Sequence, residues 1–135
     1  MNCIFAAFWM KIVPIFFDLE AQMKENLLVT LSKQFAVNVV NTCNSLDQHV
    51  LINQLLKSGT SIGANIHEAN YAASKPDFIN KLQIALKECY ETDYWLSLFN
   101  ETDLISSECY KDLFAQCSKI RRLLVASINT AKENS

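Results

Sequence analysis

The chain has 135 residues, half of them apolar, with a formal net charge of −2 and only two glycines and two prolines. That length suits one domain burying about two-thirds of its unfolded surface, and so few turn formers disfavour a hairpin-rich sandwich or barrel. The slightly acidic balance lacks the basic excess of a generic nucleic-acid binder.

Residues 1–22, MNCIFAAFWMKIVPIFFDLEAQ, are apolar from Cys3 to Phe17 apart from Lys11 and Pro14. As a signal peptide this stretch lacks a basic start and a clean small-residue cleavage site. As a membrane span it is short of the roughly 20 residues required and is interrupted by a charge and a proline. Its phase does not join the pattern that follows, and Met23-Lys24-Glu25-Asn26 reads as a natural start. The expectation is a domain over 23–135, with 1–22 either an over-extended gene start or a loosely attached appendage.

A first helix is expected from about Glu25 to Thr42, with Leu28, Leu31, Phe35, Val39 and Thr42 on one side. Asn44-Ser45-Leu46-Asp47 is a short polar break, of usual length for a helix–helix connection. A second helix follows from about Gln48 to Ala72, its stripe being Leu51, Leu55, Ser58, Ile62, Ile66 and Ala69. Inside it Gly59 and Gly63 sit four apart among Ser58, Thr60, Ser61 and Asn65. Each glycine costs roughly 1 kcal/mol relative to alanine in a helix. Either the helix breaks at Ser58-Gly59-Thr60, or the glycines let another backbone approach closely while hydroxyls and an amide reach across. The stripe keeps its phase through the glycines, which favours the continuous helix, lying flush against the third.

Ser74-Lys75-Pro76-Asp77 then marks a helix start: a serine with an acid three residues on, and proline where no hydrogen bond is lost. The third helix runs to Glu101, with Phe78, Leu82, Ala85, Cys89, Thr92, Leu96 and Phe99 at alternating fours and threes, the seam of a near-parallel bundle helix. Beside it runs Ile84, Glu88, Glu91, Trp95 and Leu98. Its two acids either border solvent or are partly buried against donors of the neighbouring helix. After a connection at Thr102–Ser107, a fourth helix capped by Ser106 or Ser107 carries Leu113, Cys117, Ile120, Leu124, Ser127 and Ala131 to about Lys132. Four helices with short joins predict an all-α, up-down-up-down antiparallel four-helix bundle.

The segments SGTSIGANIHEA and DFINKLQIALKECYETDYWL resemble the bacterial four helix bundle protein family, also called the 23S rRNA intervening-sequence protein or ribosomal protein S23 family. The likeness spans roughly Met23 to Lys132. Its small-polar segment falls on Ser58, Gly59, Thr60, Ser61, Ile62, Asn65, Glu68 and Ala69, and its acidic segment on Ala85, Leu86, Lys87, Glu88, Glu91 and Leu96. The resemblance implies a small antiparallel bundle assembling as a homopentameric ring. It does not imply an enzyme.

The residues carry no better case for catalysis or a metal. No Glu is followed three residues later by His, as di-iron bundles require, and neither His49 nor His67 has a helical spacing that sets it beside a serine or cysteine. Catalytic residues, metal ligands, cofactors and a small-molecule substrate are therefore all read as none. Ser58, Gly59, Ser61, Gly63, Asn65, Glu68, Glu88 and Glu91 are read as helix-packing and structural polar positions.

Lys111, Lys119, Arg121 and Arg122 form a modest basic cluster on the fourth helix, too small for nucleic acid in one subunit but multiplied by a ring. Tyr90, Tyr94, Trp95, Phe99 and Phe114 exceed what one thin core needs, and aromatic residues are enriched at interfaces. Five cysteines, odd in number and without CxxC spacing, read as free thiols in the cytoplasm. The expectation is thus a non-enzymatic homo-oligomeric assembly module associated with RNA or a ribonucleoprotein, with no membrane contact. A protein-binding adaptor without nucleic-acid contact is the alternative.

Overall fold

The computed structural model describes residues 3–134; Met1 and Asn2 of the expected extension, and Ser135, lie outside the described residues. Four helices follow in order: α1 (Cys3–Asn44), α2 (His49–Ala69), α3 (Lys75–Glu101) and α4 (Ser107–Glu133). Each packs on its neighbours in sequence and α1 closes against α4, and among the described residues no diagonal pair of helices comes into close backbone approach. This is the antiparallel up-down-up-down bundle. The pair α1/α2 thus forms one side of the bundle and α3/α4 the opposite side.

The cap chemistry is that of the sequence. Ser74 Oγ accepts from the Asp77 backbone at 3.3 Å, and Asp77 Oδ2 accepts from the Ala73 backbone at 3.1 Å. Ser106 caps α4 by accepting from the Cys109 backbone at 3.1 Å. At the end of α3 the chain turns through Asp103, at φ 56°, a left-handed conformation that short polar side chains tolerate. The Asp103 and Leu104 N–H groups donate back to the Asn100 and Phe99 carbonyls at 3.2 and 2.9 Å, closing the orphan carbonyls of the last turn as a Schellman motif.

The core runs along α3 as expected, with Leu82, Ala85, Cys89, Thr92, Leu96 and Phe99 all buried and Phe78 packed at its edge. On α1 and α4 the buried line drifts from a strict seven-residue repeat. On α1 it passes through Leu28, Ser32, Phe35, Val39 and Cys43, leaving Leu31 and Thr42 half-buried. On α4 it takes Ile128 rather than Ser127 and Ala131, whereas on α2 Ile52 replaces Leu51 and the line through Leu55, Gly59, Ile62, Ile66 and Ala69 keeps its threes and fours. A straight helix has 3.6 residues per turn, so a line spaced at 3.5 rotates off the core within a few turns.

Two expectations are corrected. The first helix begins at Cys3, not near Glu25, and runs through Pro14 without a break. At 42 residues α1 is about 63 Å long by the 1.5 Å rise, against about 40 Å for α3 and α4 at 27 residues each. Its first turns therefore overhang the bundle. The second correction concerns the glycines. Helix α2 is continuous through both, but their bare side faces α1 and not α3: a Cβ on Gly59 would meet Val39 at 3.1 Å, and one on Gly63 the Ser32 carbonyl at 3.4 Å. Ser32, buried on α1, completes this close approach.

Candidate functional site

Ser58 and Asn65 of α2 do not reach across to another helix. Ser58 Oγ donates to the Leu55 carbonyl at 3.4 Å, and Asn65 Nδ2 donates to the Ser61 carbonyl at 2.8 Å. These are bonds within one helix, available to any short polar side chain a turn from a carbonyl. The tie between α2 and α3 is instead Lys81 Nζ to Glu68 Oε2 at 2.6 Å. Glu91 is exposed and accepts from Trp95 Nε1 of its own helix at 3.3 Å. Glu88 is half-buried, and burial pushes its carboxyl above the usual range, with Glu91 adding to the shift and Lys57 and Lys87 opposing it.

On the α3/α4 side, Arg121 organises the surface. Its Nη1 donates to Asp93 Oδ2, in an ion pair whose side chains are mostly buried. Its Nη2 donates to Ser118 Oγ at 3.1 Å. The guanidinium lies over the Tyr90 ring at 5.4 Å and the Phe114 ring at 6.0 Å, the geometry of a cation–π contact. Tyr110 stacks on Phe114 with centroids 5.5 Å apart, and Trp95 meets Tyr94 edge-on at 4.9 Å. Tyr90 and Tyr94 are exposed, at 57% and 61%. The structure thus joins Tyr90, Phe114 and Arg121 in one patch, with Val125 exposed on the same helix as Arg121. Phe99 is withdrawn from the candidate interface, because it is fully buried in the core.

The basic cluster is also divided. Arg121 is committed to Asp93 and is half-buried, whereas Lys111, Lys119 and Arg122 are exposed on α4. Eight residues separate Lys111 from Lys119, about 12 Å along the axis. Asp93 was not singled out from the sequence, since nothing in the string pairs it with a residue 28 positions on.

The α1/α2 side carries a groove of about 700 Å³, lined by Val29, Ser32, Lys33, Ala36, Val37, Val40, Asn41, Thr60, Gly63, Ala64 and His67. It forms where Ser32 and Gly63 let the two helices close without filling the surface between them. Val37 and Val40 line it and are 43% and 37% exposed. Their signal was legible: two β-branched apolar residues off the core stripe of the first helix.

Reactive groups do not converge. His49 and His67 are exposed, and His67 stacks on Tyr71 at 5.4 Å. Cys43, Cys89 and Cys117 are buried free thiols. A hydrogen bond to Cys89 and then burial push the Cys117 thiol far up, and burial raises Cys43 to about 11. Among the described residues no three side chains of His, Cys, Asp or Glu are placed to hold a metal, and no helix is long and apolar enough to cross a membrane.

A solved protein of unknown function from the S23 ribosomal protein family of Bacteroides thetaiotaomicron is 45% identical and superposes with a TM-score of 0.76, over 78% of this chain and 98% of that one. No curated protein matches significantly. Residues 24–126 match the family described as 23S rRNA-intervening sequence protein. With the bundle, the small-residue α2 and this match over most of its length, the chain belongs to the 23S rRNA-intervening sequence protein family.

Proposed function

We propose that the protein is a non-enzymatic, cytoplasmic assembly module that builds a closed homo-oligomeric ring. One observation carries this reading: two unlike apolar surfaces lie on opposite sides of the bundle. The groove of α1/α2 is concave and lined by Val37 and Val40, and the α3/α4 side presents Tyr90, Tyr94 and Val125. Complementary, non-identical faces give a head-to-tail contact, which closes into a ring when the rotation per subunit permits. A pentamer is the closure proposed. The three buried free thiols, Cys43, Cys89 and Cys117, support the reducing-compartment part of the reading.

The test uses two defective variants. Val40→Asp spoils the groove and Tyr94→Glu spoils the aromatic side, so each alone is expected to sediment well below the wild-type mass. Mixed, they retain one intact groove and one intact aromatic side between them and make a single one-to-one contact through the bundle sides that does not propagate into a ring. A wild-type chain whose mass does not depend on either residue sinks the proposal, as does a mixture that regains nothing.

A second reading rests on Lys111, Lys119 and Arg122, exposed together on α4. Repeated around a ring, they offer phosphate contacts that one subunit lacks. The assembled protein is expected to bind structured RNA with an affinity that falls with salt, and Lys119→Ala to lower the salt slope by about one. No binding at low salt removes RNA from the proposal. Recovery of a partner protein from the native host despite nuclease treatment favours the adaptor alternative.

A further inference from the structure

The overhanging start of α1 carries large apolar side chains that the bundle does not cover. Phe5, Phe8, Trp9, Phe16 and Phe17 are between 57% and 68% exposed, and Ile4, Met10, Ile15 and Leu19 are exposed as well. Isolated helices of this length are marginal in water, and Pro14 within it costs a further hydrogen bond. The segment is nonetheless helical, which calls for a covering surface.

Its pattern says which kind. Phe5, Phe8, Ile12, Ile15 and Leu19 follow one another at three, four, three and four, the spacing of a coiled-coil seam. At 3.6 residues per turn this seam lies roughly opposite the core line of Leu28, Phe35 and Val39. It therefore points away from the bundle's own interior. Pro14 falls between the seam positions, so its ring does not obstruct a partner helix. Phe5 and Phe8 lie on this seam, and Trp9 and Phe16 flank it. These four rings alone leave on the order of 500 Å² exposed, to which Ile15 and Leu19 add toward the roughly 800 Å² per partner of a stable interface.

We propose that this segment pairs antiparallel with the same segment of a second copy, as a self-association device separate from the bundle's sides. Charge sets the direction. Lys11 and Asp18 are one heptad apart and flank the seam at equivalent positions. Antiparallel pairing sets Phe8 against the partner's Leu19 and Ile12 against the partner's Ile15. It brings Lys11 beside the partner's Asp18, and Asp18 beside the partner's Lys11. Parallel pairing would instead put the two copies' Lys11 and Asp18 on opposite flanks, Lys11 beside the partner's Phe16, and form no ion pair. A lipid surface is a poorer match, since an interfacial helix carries a basic polar face and this segment has one lysine against Asp18 and Glu20.

The test is a charge-reversal cycle on the full chain, followed by sedimentation equilibrium in reducing buffer. Lys11→Glu and Asp18→Lys are each expected to weaken pairing about tenfold, and the double reversal to restore it. Ile12→Asp, carried alongside, abolishes pairing while the thermal unfolding of the bundle is unchanged. Single reversals that behave like wild type overturn the proposal, as does a double reversal that fails to recover. So does a chain that remains unpaired in solution and instead floats with phosphatidylcholine–phosphatidylglycerol vesicles through this segment. Tyr94→Glu breaks the ring contact and leaves this pairing intact, so either proposal fails without the other.

Discussion

Gly59 and Gly63 sit four residues apart on one helix, yet replacing each with alanine is expected to change stability in opposite directions. Alanine in place of a helical glycine gains about 1 kcal/mol from backbone propensity alone. At Gly63 the new methyl meets the Ser32 carbonyl at 3.4 Å, ordinary contact, so most of that gain survives. At Gly59 it meets two methyls of Val39 at 3.1 and 3.2 Å. Val39 is fully buried and its branched side chain has one preferred rotamer in a helix, so it has nowhere to retreat. Overpacking of this kind costs about 1–3 kcal/mol, leaving Gly59→Ala destabilised by about 1 kcal/mol. The two variants should differ by about 2 kcal/mol, or roughly 8 °C in Tm for a chain of this size. The assay is thermal unfolding followed by circular dichroism at equal protomer concentration, since assembly shifts the apparent midpoint. Two variants that move together in either direction refute the account of α1 and α2 in near contact.

Arg121→Ala leaves Asp93 charged and largely enclosed with no cation, and Asp93 Oδ1 already lacks a partner among the described residues. A loss of about 3 kcal/mol is expected in denaturant unfolding, and Arg121→Ala with Asp93→Leu should recover part of it. By contrast Lys81→Ala, at an exposed pair, should leave denaturant unfolding almost unchanged. The raised carboxyl of Glu88 means that the folded state binds a proton more tightly than the unfolded state does. Its contribution is therefore favourable at low pH and is lost as pH rises from 4.5 through the raised value. Glu88→Gln should flatten that part of the stability–pH profile and raise Tm at neutral pH; an unchanged profile counts against burial as the cause. Under native conditions a thiol reagent should modify Cys3 quickly and Cys109 slowly, sparing Cys43, Cys89 and Cys117. Rapid titration of more than two thiols would show that the core opens.

The composition of the α2 and α3 segments made much of this protein readable beforehand. The line from Leu82 to Phe99 is buried as its spacing indicates, because side chains at alternating threes and fours share one face whatever they pack against. The caps at Ser74 and Ser106 were legible for a similar reason: their partners lie within three residues. The unpaired glycines signalled a close approach, and one exists.

What a helix's own pattern does not encode is which neighbour each flank meets. Gly59 and Gly63 turn to α1, Arg121 is neutralised by an aspartate on α3, and Phe99 is enclosed while Tyr90 and Tyr94 stay outside. A stripe gives a direction toward the axis of the bundle, but left and right around that axis are assigned only when all four helices pack at once. The same holds for the groove, which exists because two small residues on different helices coincide in space. Local chemistry thus wrote the helices, their ends and their inward faces, and the packing of distant segments chose their partners and the two sides that remain to be covered.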